Sequence, residues 1–258
     1  MIYETIAYQV SDNIAVLTLN RPDVMNAMNA QMRAEVLHAV RAAGKEARVL
    51  ALTGAGKAFC SGQDLGDGGN ASKIDLERVL RDEYVPMIRA INDSKIPTIA
   101  AVNGAAAGAG ANLALACDVV IATEKAVFLQ AFTRIGLIPD AGGTYFLPRQ
   151  IGYPRAMGAS LFAEPVSAKK AEEWGMIWEA VADDEFNAHW QKRAAQLASG
   201  PTVAYSHVKD ALSASQSNTL EEQLLLEAQL QGACGKTRDF TEGVMAFLDK
   251  RKAEYEGR

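Results

Sequence analysis

The sequence predicts an α/β fold with a helical C-terminal part, and three observations carry that prediction. Segments 48–53 (RVLALT), 97–102 (PTIAAV) and 118–122 (DVVIA) are short and apolar, as strands buried on both faces are. The first two run into loops rich in glycine and alanine. From about residue 142 onward the pattern is helical, apart from one candidate strand at 177–181.

The elements follow in order. Residues 2–10 and 14–20 read as two strands around the turn Ser11-Asp12-Asn13, and Arg21-Pro22 stops the second. Asn29 is an N-cap for a helix to about Ala43, with Met32, Val36 and Val40 on one stripe and Gly44 as its stop. The stretch 54–73 holds six glycines and is too long for a plain connection, which points to function. Ser72 to Asp75 resembles a capping box for the next helix, which Pro86 should kink or break. After the strand at 97–102 comes a small-residue run, Ala105 to Ala111, and a short helix through Leu113 and Leu115. Strands at 118–122 and 126–129 precede helices near 167–174, 186–198, 203–214, 219–233 and 239–252.

The chain has 258 residues, enough for one large domain or a domain with a small appendage. Its formal net charge of −5 argues against general binding to nucleic acid or to acidic membranes. Cys60, Cys117 and Cys234 are odd in number and lack CxxC spacing, so neither a disulfide framework nor a cysteine-rich zinc site is expected. The start, MIYETIAYQV, has neither the basic nor the apolar region of a leader, and no apolar run reaches 18 residues. The expectation is a soluble, cytoplasmic protein.

Loops at the carboxyl ends of buried strands are where such folds place ligands. GAGKAF is not the phosphate-cradling GxxxxGK[ST], and a glycine-rich loop alone is often only a turn. Its pairing with GAAAGAGAN, which opens a helix, raises another use: two such loops can aim two backbone N–H groups at one oxygen, an oxyanion hole. His38, His189 and His207 all lie on predicted helices away from these loops, where packing or solvent roles suffice. HxxxH, HExxH and GxSxG are missing, so no metal site is expected and Ser61 is no hydrolase nucleophile. Lys250-Arg251-Lys252 suit the last turn of a helix, and a ligand phosphate is their sharper use. Asp140, in GLIPDAGGT, reads on local pattern as a turn or N-cap residue.

Five ordered motifs resemble the enoyl-CoA hydratase/isomerase (crotonase) superfamily: LTLNRPDVMNAMN at 17–29, LTGAGKAFCSGQDL at 52–65, AAVNGAAAGAGANLALACD at 100–118, GLIPDAGGTYFLPR at 136–149 and GVMAFLDKR at 243–251. FCSGQDL, GLIPDAGGT, EWGMIW and AFLDKR are most similar to its 1,2-epoxyphenylacetyl-CoA isomerase (oxepin-CoA forming) branch. The resemblance implies a spiral of strand–strand–helix turns over 1–197 and a helical region, 198–258, that assembles trimers or pairs of trimers. It implies an acyl-CoA substrate, with coenzyme A as part of that substrate and no separate cofactor. It places the thioester oxygen between the N–H groups of Gln63 and Ala109, and the adenine near Ser61, Asp64 and Leu65. Phe247 and Lys250, of this or a neighbouring subunit, approach the ribose phosphate.

The departures from the family pattern are informative. The two glutamates of the hydratases fall on Asn112 and Phe132, neither of which takes a proton from water at neutral pH. A single carboxylate, as isomerases of the family often carry, stands at Asp140. One carboxylate suffices to move a proton from one carbon to another. Asn112 follows Ala109 by three residues, on the same helix face, and is a candidate to hydrogen-bond a ring oxygen or a water. Phe132, Tyr145 and Phe146 are candidates for an apolar wall around an aromatic-derived ring and, equally, for ordinary core. The expectation is an isomerase for the ring epoxide, for 3-enoyl-CoA, or for both. A fatty-acid-oxidation hydratase and a non-catalytic acyl-CoA- or RNA-binding member of the fold are the alternatives.

Overall fold

The computed structural model describes residues 2–66 and 75–258. A hairpin opens the chain. β1 (Ile6–Ser11) and β2 (Ile14–Leu19) pair antiparallel through Asp12 and Asn13, both at positive φ, as a two-residue turn with the right-handed strand twist requires. Asn29 caps α1 (Ala30–Glu46), its side chain accepting from the Met32 N–H at 2.9 Å. Gly44 does not stop this helix. Nothing crowds it, and the chain stays helical to Glu46.

The rest of the core is a spiral in which each turn lays one strand in each of two sheets. β3 (Val49–Gly54), β5 (Thr98–Val102), β7 (Val119–Thr123) and β10 (Glu179–Val181) join the hairpin in a six-stranded sheet of order β1-β2-β3-β5-β7-β10, parallel after the hairpin. β4 (Ala58–Cys60), β6 (Ala105–Ala107) and β8 (Val127–Leu129) form a second sheet with β9 (Val166–Ser167). Residues alternate along the central strands. Leu50, Leu52, Ala100, Val102, Val120 and Ala122 face the larger core, and Val49, Ala51, Ile99, Ala101 and Ile121 face a smaller one. α7 (Phe186–Ala198) covers that smaller core with Phe186, Trp190, Ala194 and Ala198. Burial on both faces is why these strands read as continuous apolar runs.

Helices return the chain between turns. α2 (Leu76–Val79) is capped by Asp75, which accepts from the Arg78 N–H at 3.0 Å, whereas Ser72 lies outside the described residues. A π-helical turn at Leu80–Tyr84 connects α2 to α3 (Val85–Asn92). Pro86 sits in the first turn of α3 and has no N–H to donate, and the wider turn just before it closes with the Val85 N–H donating to the Leu80 oxygen. α4 (Ala109–Leu115) follows β6, and α5 (Gly143–Phe162) is broken at Gly152, where φ is 76°.

The region after 142 is not wholly helical. Before and after α6 (Ala168–Glu173), β9 closes the small sheet and β10 (Glu179–Val181) pairs parallel with β7. The chain ends in α8 (Thr202–Ala214), α9 (Leu220–Cys234) and α10 (Arg238–Asp249). α10 stops at Asp249, so Lys250 is a left-handed C-cap, and Arg251 and Lys252 lie beyond the helix rather than in its last turn. Among the described residues no helix is long and apolar enough to cross a membrane. No cluster of three or more His, Cys, Asp or Glu among them is disposed to hold a metal ion.

Candidate active site

The two glycine-rich segments meet backbone to backbone. A Cβ on Gly104 would lie 2.1 Å from the Lys57 carbonyl oxygen, and one on Gly110 would lie 2.3 Å from that of Cys60. A Cβ on Gly62 would come within 2.9 Å of the Ala107 oxygen and 3.4 Å of the Ala109 nitrogen. The small residues are therefore the condition for close approach of two strand ends.

That approach presents two N–H groups. Gln63 pairs with Met28 in an isolated parallel bridge, in which the Met28 N–H donates to the Gly62 oxygen (2.8 Å) and the Asp64 N–H donates to the Met28 oxygen (3.1 Å). In such a bridge the N–H of Gln63 itself points to the opposite side. Ala109 opens α4 after Gly108, whose φ is 54°, and an N–H in the first turn of a helix has no acceptor within it. Gln63 and Ala109 both line one cavity of about 260 Å³.

The Gln63 side chain is held from behind. Its Oε1 accepts from the Tyr84 hydroxyl at 2.7 Å and from the Arg33 guanidinium at 3.0 Å. Arg33 is buried, donates to the Met28 oxygen at 2.8 Å, pairs with Glu83 at 2.6 Å and lies over the Tyr84 ring. No motif marks Arg33 or Tyr84 in the sequence, where each is one polar position of a helical pattern.

The cavity walls are mostly apolar: Leu65, Leu76, Val79, Leu80, Ala131, Phe132, Ile135 and Leu137, with Ser61 and Arg134 at the border. Asp140 is the one carboxylate among the described residues that line the cavity. Its Oδ1 is buried without a hydrogen-bond partner among the described residues. Burial alone pushes its carboxyl from 3.8 up to about 6. The backbone places it in a tight turn: Ala141 and Gly142 take positive φ of 49° and 88°, and the Gly143 N–H donates to the Asp140 oxygen at 2.8 Å. A buried carboxylate in a cavity that is also lined by Gln63 and Ala109 has the chemistry to move a proton.

The model of the family described as enoyl-CoA hydratase/isomerase matches residues 9–258. The chain belongs to the enoyl-CoA hydratase/isomerase family. It is 59% identical over 258 residues, all of both chains, to a Rhodobacter capsulatus protein named "Probable enoyl-CoA hydratase". It is 42% identical to the 1,2-epoxyphenylacetyl-CoA isomerase of Escherichia coli over 99% of each chain. Among solved structures, the enoyl-CoA hydratase of Bacillus anthracis matches with a TM-score of 0.92 at 31% identity, over 99% of this chain and all of that one.

As an enzyme of the enoyl-CoA hydratase/isomerase family, the chain brings some expected residues together and not others. Ser61, Gln63, Leu65, Ala109, Phe132 and Asp140 share the cavity. Asp64 stands beside it, with its carboxylate on Arg21 at 2.7 Å and its Oδ1 accepting from the Gly66 N–H at 3.0 Å. Asn112 is a correction: it is fully buried behind the cavity. Its Nδ2 donates to the Asp140 main-chain oxygen at 2.7 Å and its Oδ1 accepts from Gln130 at 2.8 Å, so it is not turned toward a ligand. For Tyr145 and Phe146 the packing alternative holds. They pack edge to face on each other, with Phe146 against Gly142, and neither lines the cavity, whereas Phe132 does, with its ring beside Gly108. Phe247 and Lys250 lie at the end of α10, outside the cavity lining, and Phe247 is 82% exposed. His38 contacts Tyr3, His189 contacts Glu179 and His207 lies near Asp210, all away from Asp140.

Proposed function

We propose that this enzyme is an isomerase of acyl-CoA thioesters that moves a proton with Asp140. On a 3-enoyl-CoA, the Asp140 carboxylate takes a proton from the carbon between the thioester and the double bond. The electron pair passes to the thioester oxygen, which the Gln63 and Ala109 N–H groups stabilise. Asp140 then returns the proton to the far carbon of the former double bond. With 1,2-epoxyphenylacetyl-CoA the same polarisation assists opening of the ring epoxide and expansion to the oxepin. The adenine rests by Ser61, Asp64 and Leu65, and Phe247 and Lys250 of a neighbouring copy reach the ribose phosphate. The reading assigns no step to a metal or redox cofactor and places the enzyme in the cytoplasm.

One observation carries this reading: Asp140 is the single carboxylate among the described residues lining the cavity, while Asn112 and Phe132 hold the two positions where the resemblance puts hydratase glutamates. Asp140→Asn tests it. An Asn caps or turns about as well as an Asp, so a structural role predicts unchanged turnover. A proton shuttle predicts a fall of roughly 10²–10⁴-fold with binding little changed. Solvent deuterium should enter substrate or product with the wild type and hardly at all with the variant. A fully active variant overturns the assignment.

The hydratase name of the 59% identical relative favours the second reading, water addition to a 2-enoyl-CoA. Crotonyl-CoA separates the two. The expected hydration rate is far below the rate of isomerisation, because Asn112 and Phe132 stand where the resemblance puts the two hydratase glutamates and neither is a base. Comparable rates would favour the hydratase.

A further inference from the structure

We infer that Asn112, braced by Gln130, is the positioning residue that aims Asp140 into the cavity; this rests on the reading of Asp140 as proton shuttle. The orientation of both amides follows from chemistry. The Asp140 main-chain oxygen can only accept, so the Asn112 atom 2.7 Å from it is Nδ2. Oδ1 of Asn112 then faces Gln130 and must meet its Nε2, at 2.8 Å. The Asp140 oxygen thereby takes two donors, Gly143 N–H from within the turn and Asn112 from α4.

The turn needs that second tie. Ala141 is held at a φ of 49°, a conformation that alanine adopts only when its surroundings impose it. Gly143 gives the amide room, since a Cβ there would lie 2.4 Å from Nδ2. Gln130 is buried, its side chain donates to Asn112, and its Oε1 has no partner among the described residues. Two buried amides cost more than two apolar side chains of the same shape unless they fix something. What they fix here is the backbone of Asp140. Asn112 also does this without charge, so the brace itself sets no second carboxylate beside Asp140. Among the described residues, the titratable or charged groups lining the cavity with it are Tyr84 from the π-helical turn and Arg134 from segment 131–135. Cys60 is buried under α4, which itself carries no titratable side chain, and Tyr145 and Arg149 of α5 stack on each other outside the cavity lining.

The test measures steady-state turnover of 3-hexenoyl-CoA from pH 5 to 9 by the full-length protein and four variants. Asn112→Ala should lower kcat by about 10–100-fold with KM within about two-fold, the signature of a misplaced catalytic group. Gln130→Met should do the same more mildly. Asn112→Asp is the diagnostic variant. Protonated, its carboxyl donates to the Asp140 oxygen as the amide does; ionised, it repels it. Its activity should fall at high pH, an alkaline limb that the wild type lacks. A kcat unchanged in Asn112→Ala and Gln130→Met overturns the proposal, as does a raised KM with unchanged kcat, which would make Asn112 a substrate contact. If the Asn112 variants do not fold, Gln130→Met decides alone. Asp140→Asn separates the two readings: full activity there removes the shuttle and the positioning with it. An inactive Asp140→Asn beside fully active Asn112→Ala and Gln130→Met removes the positioning only.

Discussion

Desolvation is what pushes the Asp140 carboxyl up to about 6, and the same burial sets activity and stability against each other. A base must be ionised, so kcat/KM should rise with pH through about 6 and level off above it. Stability runs the other way. The folded pKa lies above the unfolded one, so the folded state binds the extra proton between about 4 and 6, and stability is lost as pH rises through that window. Asp140→Asn should therefore raise Tm at pH 8 and leave it nearly unchanged at pH 4, as scanning calorimetry would show. An equal shift at both pH values would mean that the charge is not the cause. At this scale the sequence displayed Asp140, because a carboxylate between Pro139 and two glycines stands out locally. It did not display the brace. Asn112 meets Asp140 across 28 positions and Gln130 across 18, and no local spacing encodes such contacts.

The strands that build the site are its least legible elements. β4 and β6 have three residues each, and β6 is three alanines, a residue with low preference for strands. They form because buried backbone groups must be paired, and glycines at 54, 104 and 110 let the two ladders close on each other. Long apolar strands and capped helices were legible because side chains specify them. These were not, because backbone contact does. Two glycine substitutions test this with opposite signs. Gly44→Ala, in open space within α1, should stabilise by about 0.5–1 kcal/mol, the ordinary helix gain. Gly110→Ala is also helical, but its Cβ would meet the Cys60 carbonyl oxygen at 2.3 Å, an atom that cannot rotate away. It should destabilise by about 1–3 kcal/mol, as overpacking does, and should lower kcat by shifting the Ala109 N–H. Thermal melts of the two proteins beside wild type check the pair; a stabilised Gly110→Ala would mean that α4 has slack.

Across the whole molecule, the C-terminal helices leave large apolar side chains exposed. α8 and α9 bury no side chain within the chain, and α10 buries only Asp239 and Ala246. Leu212, Leu220, Leu225, Phe240 and Leu248 are all more than half exposed, in a region that also carries Phe247. Contiguous patches of that kind on soluble chains mark contact surfaces. Closed symmetric assembly is the common way to cover them. The expected mass by light scattering is three or six times the 27.6 kDa of one chain. Leu225→Glu should shift that mass toward the monomer and lower Tm, because a buried unpaired charge replaces an apolar contact. If Phe247 and Lys250 serve the coenzyme A moiety bound by a neighbour, dissociation should also raise KM for acyl-CoA while activity at saturation falls less. A stable 27.6 kDa monomer at micromolar concentration would leave the exposed face without its partner and return Phe247 and Lys250 to surface roles.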